Sequence, residues 1–193
     1  MKRLPKLATI TAAASLFVAV DASAGLKCAL TEYIDVRGDS SLSSILTDDG
    51  LVTIAEVAVA NSALGGNPNG GLTQLVDAVV AADLVGALDD TSADLTVFAP
   101  IDSAFAAIPA DVLGGIVDSG ALPSVLLYHV LAGSVDPRDG RRLTDFETLL
   151  GQNVFVKRSR MNPTINNSEI DCQGIVTDNG LVWLIDSVLV PQF

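Results

Sequence analysis

The chain has one histidine, His129, and two cysteines, Cys28 and Cys172, and these scarcities exclude a good deal of chemistry. A structural zinc site takes four Cys or His ligands, and two thiols with one imidazole fall short of that. Nucleophilic catalysis by Ser or Cys needs a base within hydrogen-bond reach, and only His129, inside the apolar run LLYHVL at 126–131, could supply it. No GxSxG elbow, glycine-rich phosphate loop or HExxH accompanies it. Carboxylate pairs such as Asp89-Asp90 would serve a glycosidase only from the walls of a cleft, and they sit in a polar connector. The residues read as a non-enzyme without metal or cofactor. Positive charge is scarce too: 11 Lys and Arg stand against 23 Asp and Glu, for a net charge of -12. Such a surface repels nucleic acid and anionic membranes.

Apolar length is confined to the start. Lys2, Arg3 and Lys6 precede a mostly apolar run over 7–20 and then Ala22-Ser23-Ala24, the layout of a secretory signal peptide over 1–24. The run is too short to span a bilayer as a helix. Lys27 stands where a lipoprotein signal needs a small residue before Cys28, so membrane insertion and lipid anchoring are not expected. The mature chain is read as secreted and extracellular, or periplasmic if the source is a Gram-negative bacterium. In an oxidising compartment an isolated cysteine pair forms one disulfide, Cys28 to Cys172. In the chain-entropy picture so long a loop contributes on the order of 4 to 5 kcal/mol.

Residues 25–50 are polar and without period, a lead-in segment; Arg37-Gly38-Asp39 within it is the triplet that integrins recognise in adhesive proteins, and it reads as coincidence unless the source is an animal. Thr53-Ile54-Ala55-Glu56 is a capping box, with Val52 and Val57 placed as its hydrophobic staple. Leu72, Leu75, Val76, Val79 and Val80 fall on one face of a second helix. After the β-type run DLTVFAP, Asp102 is a good N-cap and Asp111 another. Pro123 suits the first position of a helix carrying LLYHVL, on which Leu122, Val125, Leu126 and His129 share a face, so that His129 fills the core. NVFVKRS, SEIDCQ and NGLVWLIDSVLVP read as strands, with Asp178-Asn179-Gly180 as a tight turn. Along the last, Leu181, Trp183 and Ile185 face one way, Val182 and Leu184 the other. Helices first and strands later argue for an α+β domain over 51–193. Arg138, Arg141, Arg142, Lys157, Arg158 and Arg160 form the one basic cluster, either a solvated face balancing local acids or a contact for an acidic partner.

Three segments, TVFAPIDSAF at 96–105, LLYHVLAGSV at 126–135 and NGLVWLIDSVLVP at 179–191, closely resemble the signature segments of the fasciclin-like domain, in order and spacing. The likeness covers 51–191 and implies a wedge of two β-sheets with a layer of helices. Thr96, Pro100, Asp102, His129 and Asp186 are then markers of the fold. It implies adhesion to a cell-surface, matrix or polysaccharide partner without catalysis, and places adhesive determinants near Tyr128 if that ring is exposed. Some relatives carry carotenoids in an apolar groove, which makes a water-soluble carrier the alternative. Trp183 stands where relatives often have His, and reads either as a sheet aromatic or as the wall of a ligand site. Asn166, in Asn166-Asn167-Ser168, is a glycosylation acceptor in a eukaryote. The oligomeric state is left open.

Overall fold

A computed structural model of the chain describes residues 34–35, 52–63, 71–138, 143–159 and 162–192. The signal-peptide segment, Cys28 and Arg37-Gly38-Asp39 lie outside these residues, as does the side chain of Cys172.

Helix α1 (Ile54–Ala63) starts as its spacing predicts. Thr53 N donates to Glu56 Oε2 at 3.0 Å and Glu56 N to Thr53 Oγ1 at 3.3 Å, so the capping box is closed. Val52 and Val57 are both buried in one core. Helix α2 (Thr73–Ala81) buries Leu72, Leu75 and Val79, but Val80 is 61% exposed. Eight residues at roughly 100° each carry it about 80° off the stripe, onto its margin. Helix α3 (Val85–Leu88) is a single turn before strand β2 (Leu95–Pro100).

Asp102 opens helix α4 (Asp102–Ala106), yet it does not cap that helix. Its Oδ1 accepts from Gln74 N of α2 at 2.9 Å, while Asp102 N donates to Gly71 O at 2.8 Å. The carboxylate satisfies an orphan amide of a neighbouring helix because the chain leaving β2 passes that helix's start. Asp111 likewise lies inside helix α5 (Ala110–Asp118) and makes no cap bond. In helix α6 (Leu122–Leu127) Pro123 is the second residue, not the first.

The run LLYHVL is not one helix. It leaves α6 at Leu127, turns through Tyr128 and His129, and enters strand β3 (Val130–Ala132). Val130 and Leu131 pair antiparallel with Val97 and Thr96, and this ladder takes the backbone that a longer helix would have used. Short apolar runs suit helix and strand equally, and here tertiary pairing decides.

Strands β4 (Leu143–Glu147), β5 (Asn153–Lys157), β6 (Thr164–Ile165), β7 (Ser168–Thr177) and β8 (Gly180–Ile185) complete the order β3-β2-β8-β7-β6-β5-β4. β1 (Ile34–Asp35) lies parallel on β7, so part of the lead-in segment belongs to the fold. The pairing of β7 with β8 is irregular between Ile170 and Gly174. Its first part pairs with β6 and its second with β8, and the strands fold over into two layers there. Leu131 of β3 bridges Thr148, just past β4, so the two ends of the strand order meet.

Parallel strands β2 and β8 form the central wall. Val97, Val182 and Leu184 face the helices, while Phe98, Trp183 and Ile185 face the second sheet layer. The alternation expected along 181–185 thus has a cause on both sides: β8 separates two cores. The fold is the expected α+β wedge of two β-sheets with a layer of helices. Gly180 makes it closable, because its φ is 150° and a Cβ there would run into the backbone oxygen of Leu95. Among the described residues no helix is long and apolar enough to cross a membrane.

Candidate functional site

The turn from α6 to β3 places two adjacent side chains in opposite tasks. Tyr128 points to the second sheet: its hydroxyl donates to Asn153 O at 3.1 Å and accepts from Asn166 Nδ2 at 3.2 Å. Asn166 Oδ1 in turn accepts from Phe155 N at 2.9 Å, so the glycosylation candidate ties the β6–β7 turn to β5. Tyr128 is only 7% exposed, and the surface contact considered for it is withdrawn: the ring is spent on the second core.

His129 is 3% exposed and uses both ring nitrogens. Nδ1 lies 2.7 Å from Val125 O, and Leu189 N donates to Nε2 at 2.9 Å. A carbonyl only accepts and an amide N–H only donates, so the ring is the neutral tautomer with its proton on Nδ1. Burial holds its pKa down at about 4, against a smaller upward pull from the bond to Val125 O. Neither nitrogen is left for a reacting group.

His129 is also the one polar lining residue of an apolar cavity of about 150 Å³ between the helices and β2. Leu72, Leu75, Ala58 and Val97 line its interior. Val59, Val80, Val85 and Leu149 belong to the same lining yet are exposed, so the mouth is apolar as well. A cavity of this size holds a hydrocarbon unit of roughly six carbons.

Trp183 takes no part in that lining. It is fully buried on the far side of β8, its Nε1 donates to Val135 O at 3.2 Å, and the Arg138 guanidinium sits 4.9 Å from the ring centroid. The ligand-wall reading is overturned by the alternation of β8, which turns this residue away from the helices. Arg138 itself is buried and bridges Asp136 through Nε and a terminal nitrogen, each at 3.1 Å. Arg158 lies over the Phe146 ring. The basic cluster is therefore not one solvated face; Lys157 is exposed, and Arg141, Arg142 and Arg160 lie outside the described residues.

The other marker residues hold the frame. Thr96 Oγ1 donates to Gly133 O at 2.6 Å and accepts from Val135 N at 2.9 Å. Pro100 ends β2. Asp186 Oδ1 accepts from Ser168 Oγ at 2.8 Å and Glu169 N at 2.9 Å. The residue that sequence reasoning missed is Asn179, buried, with Oδ1 accepting from Ile54 N at 2.9 Å and Nδ2 donating to Leu88 O at 2.7 Å. It joins the start of α1 to the end of α3; its only signal was the turn motif that contains it. Among the described residues no three His, Cys, Asp or Glu are placed to hold a metal ion.

The family model "Fasciclin domain" matches residues 70–191. Over 191 residues the chain is 31% identical to Immunogenic protein MPB70 of Mycobacterium bovis, covering 96% of this chain and 91% of that one. It is 30% identical over 174 residues to Protein sll1483 of Synechocystis, covering 86% and 89%. It is 38% identical over 101 residues to Cell surface glycolipoprotein MPB83 of Mycobacterium bovis, covering 51% and 44%. Among solved structures it is similar to a FAS1 domain pair from the insect cell adhesion molecule Fasciclin I, with a TM-score of 0.49 and 20% identity over 63% of this chain and 45% of that one. On the family match and the two relatives that span most of its length, the chain belongs to the fasciclin domain family.

Proposed function

We propose that the protein is an exported, non-catalytic surface-interaction protein that binds a cell-surface, matrix or polysaccharide partner through its outer face. The observation that carries this reading is the use of its single imidazole: in a fold of the fasciclin family, both nitrogens of His129 are consumed by backbone groups. The likeness to Cell surface glycolipoprotein MPB83 supports the location. The test is retention of the purified, labelled chain on intact cells of its source and on their isolated wall polysaccharide. Saturable retention on either supports the proposal. No retention on both, or a turnover that disappears in a folded His129→Gln protein, would overturn it.

A second reading, a carrier of an apolar small molecule such as a carotenoid, is favoured by one observation, the apolar cavity with its valine-rimmed mouth. The cavity encloses far less than a whole polyene, so most of such a ligand would lie across the mouth. Visible absorbance that co-purifies from the native source supports the carrier. A colourless protein whose organic extract contains no apolar compound sinks it.

A further inference from the structure

Residues 186–192 follow β8 as a strap outside any strand. Single hydrogen bonds rather than a ladder hold it. Ser187 N donates to Ser168 Oγ at 3.0 Å near one end. At the other, Gln192 N donates to Gln152 Oε1 at 3.0 Å and Gln152 Nε2 to Gln192 O at 2.8 Å. In the middle, Leu189 is buried in the second core and its N–H is held by His129 Nε2. That bond exists only while Nε2 carries a lone pair. A proton there would set an N–H against the Leu189 N–H at 2.9 Å, two donors facing each other with water excluded.

Apart from the bond to Val125 O, whose pull is smaller than the effect of burial, no charged group on the packed elements favours the imidazolium. Helix α6, β2, β3 and β8 carry no titratable side chain, and neither does the 148–152 turn that brings Leu149 to the cavity. On the strap, exposed Asp186 is engaged with Ser168 and Glu169 N. On α1, Glu56 is turned to Thr53 N, and on α2 the exposed Asp77 lies outside the cavity lining.

We propose that His129 is an acid-operated latch: proton uptake at Nε2 undocks residues 186–192, with Leu189, from the second core while the central strands stay paired. The undocked ring reaches water and titrates as an ordinary histidine, which pulls the opening forward as pH falls. With the docked ring at about 4 and the free one near 6.5, the opened fraction rises on the order of a hundredfold between pH 7 and pH 4.

The test is amide hydrogen exchange of the full chain by NMR at pH 7, 6, 5 and 4, with protection corrected for intrinsic rate. The Leu189 amide should lose protection by about that factor and stay, at every pH, well below the amides of β2 and β8, which open only with the whole fold. In His129→Gln, whose amide oxygen can accept from Leu189 N without titrating, protection of the strap should not depend on pH in this range. Gln152→Ala, which removes the anchor at Gln192 and leaves His129 intact, should move the release to higher pH. Equal protection of the strap and the central strands, no loss down to pH 4, the same pH-dependent loss in a folded His129→Gln, or an unchanged release pH in Gln152→Ala would each overturn the latch.

Discussion

At the scale of single residues, buried polar side chains carry the heaviest consequences. His129 is neutral when folded, with a pKa of about 4, and in the unfolded chain returns to near 6.5. Between these values the unfolded state binds more protons, so stability is complete above about pH 6.5 and falls as pH drops, by about 3 kcal/mol on reaching pH 4. Urea melts across this range should show that slope, and His129→Gln should remove it. Asn179→Ala strands Ile54 N and Leu88 O without their partner, and we expect a loss of about 3 kcal/mol of stability, read as a lower denaturation midpoint at unchanged m-value. Thr53 and Glu56 were legible in the sequence because their partners lie three residues apart. Asn179 was not, since its partners come from helices far along the chain and nothing local distinguishes a capping asparagine from a turn asparagine. Tyr128 shows the same limit: next to His129 in sequence, it faces the other core.

At the scale of elements, Asp102 acts on a helix that is not its own. Asp102→Ala should cost about 1 kcal/mol and raise exchange at the Gln74 amide, the first turn of α2, while Asp102→Asn should keep most of that protection. Exchange that rises at α4 and not at α2 would refute the assignment. Where an element is long and alternates strictly, its faces could be read in advance: Leu181, Trp183 and Ile185 separate from Val182 and Leu184 as the period of two demands. Where it is short and evenly apolar, as at 126–131, periodicity has no purchase, and the boundary is set by β3 finding Thr96 and Val97. The same ambiguity hid β1, whose two residues gain meaning only from their pairing with Ile175 and Val176.

At the scale of the whole molecule, the architecture was recoverable because three signature segments meet in one place: β2 and the strap after β8 both bond His129 in the α6 to β3 turn. The site was less so. The cavity is assembled from four helices and three strands, a convergence that no single stretch of sequence announces. Export and the disulfide can be checked together: the mature mass should begin at Gly25 and show no reactive thiol after denaturation. Reduction should then lower stability by about 2 to 5 kcal/mol. A free thiol, or a retained leader on protein recovered outside the cell, would refute these expectations.

The placement of β8 has a consequence in time. Its neighbours in the ladder are β7, made just before it, and β2, made far earlier, and both cores lean on it. A nascent chain that has not yet supplied Gly180 to Ile185 has two half-cores and only β2 of the wall between them. Such non-local pairing forms late. If the protein is exported as proposed, that order of synthesis keeps both cores open until Gly180 to Ile185 have been made.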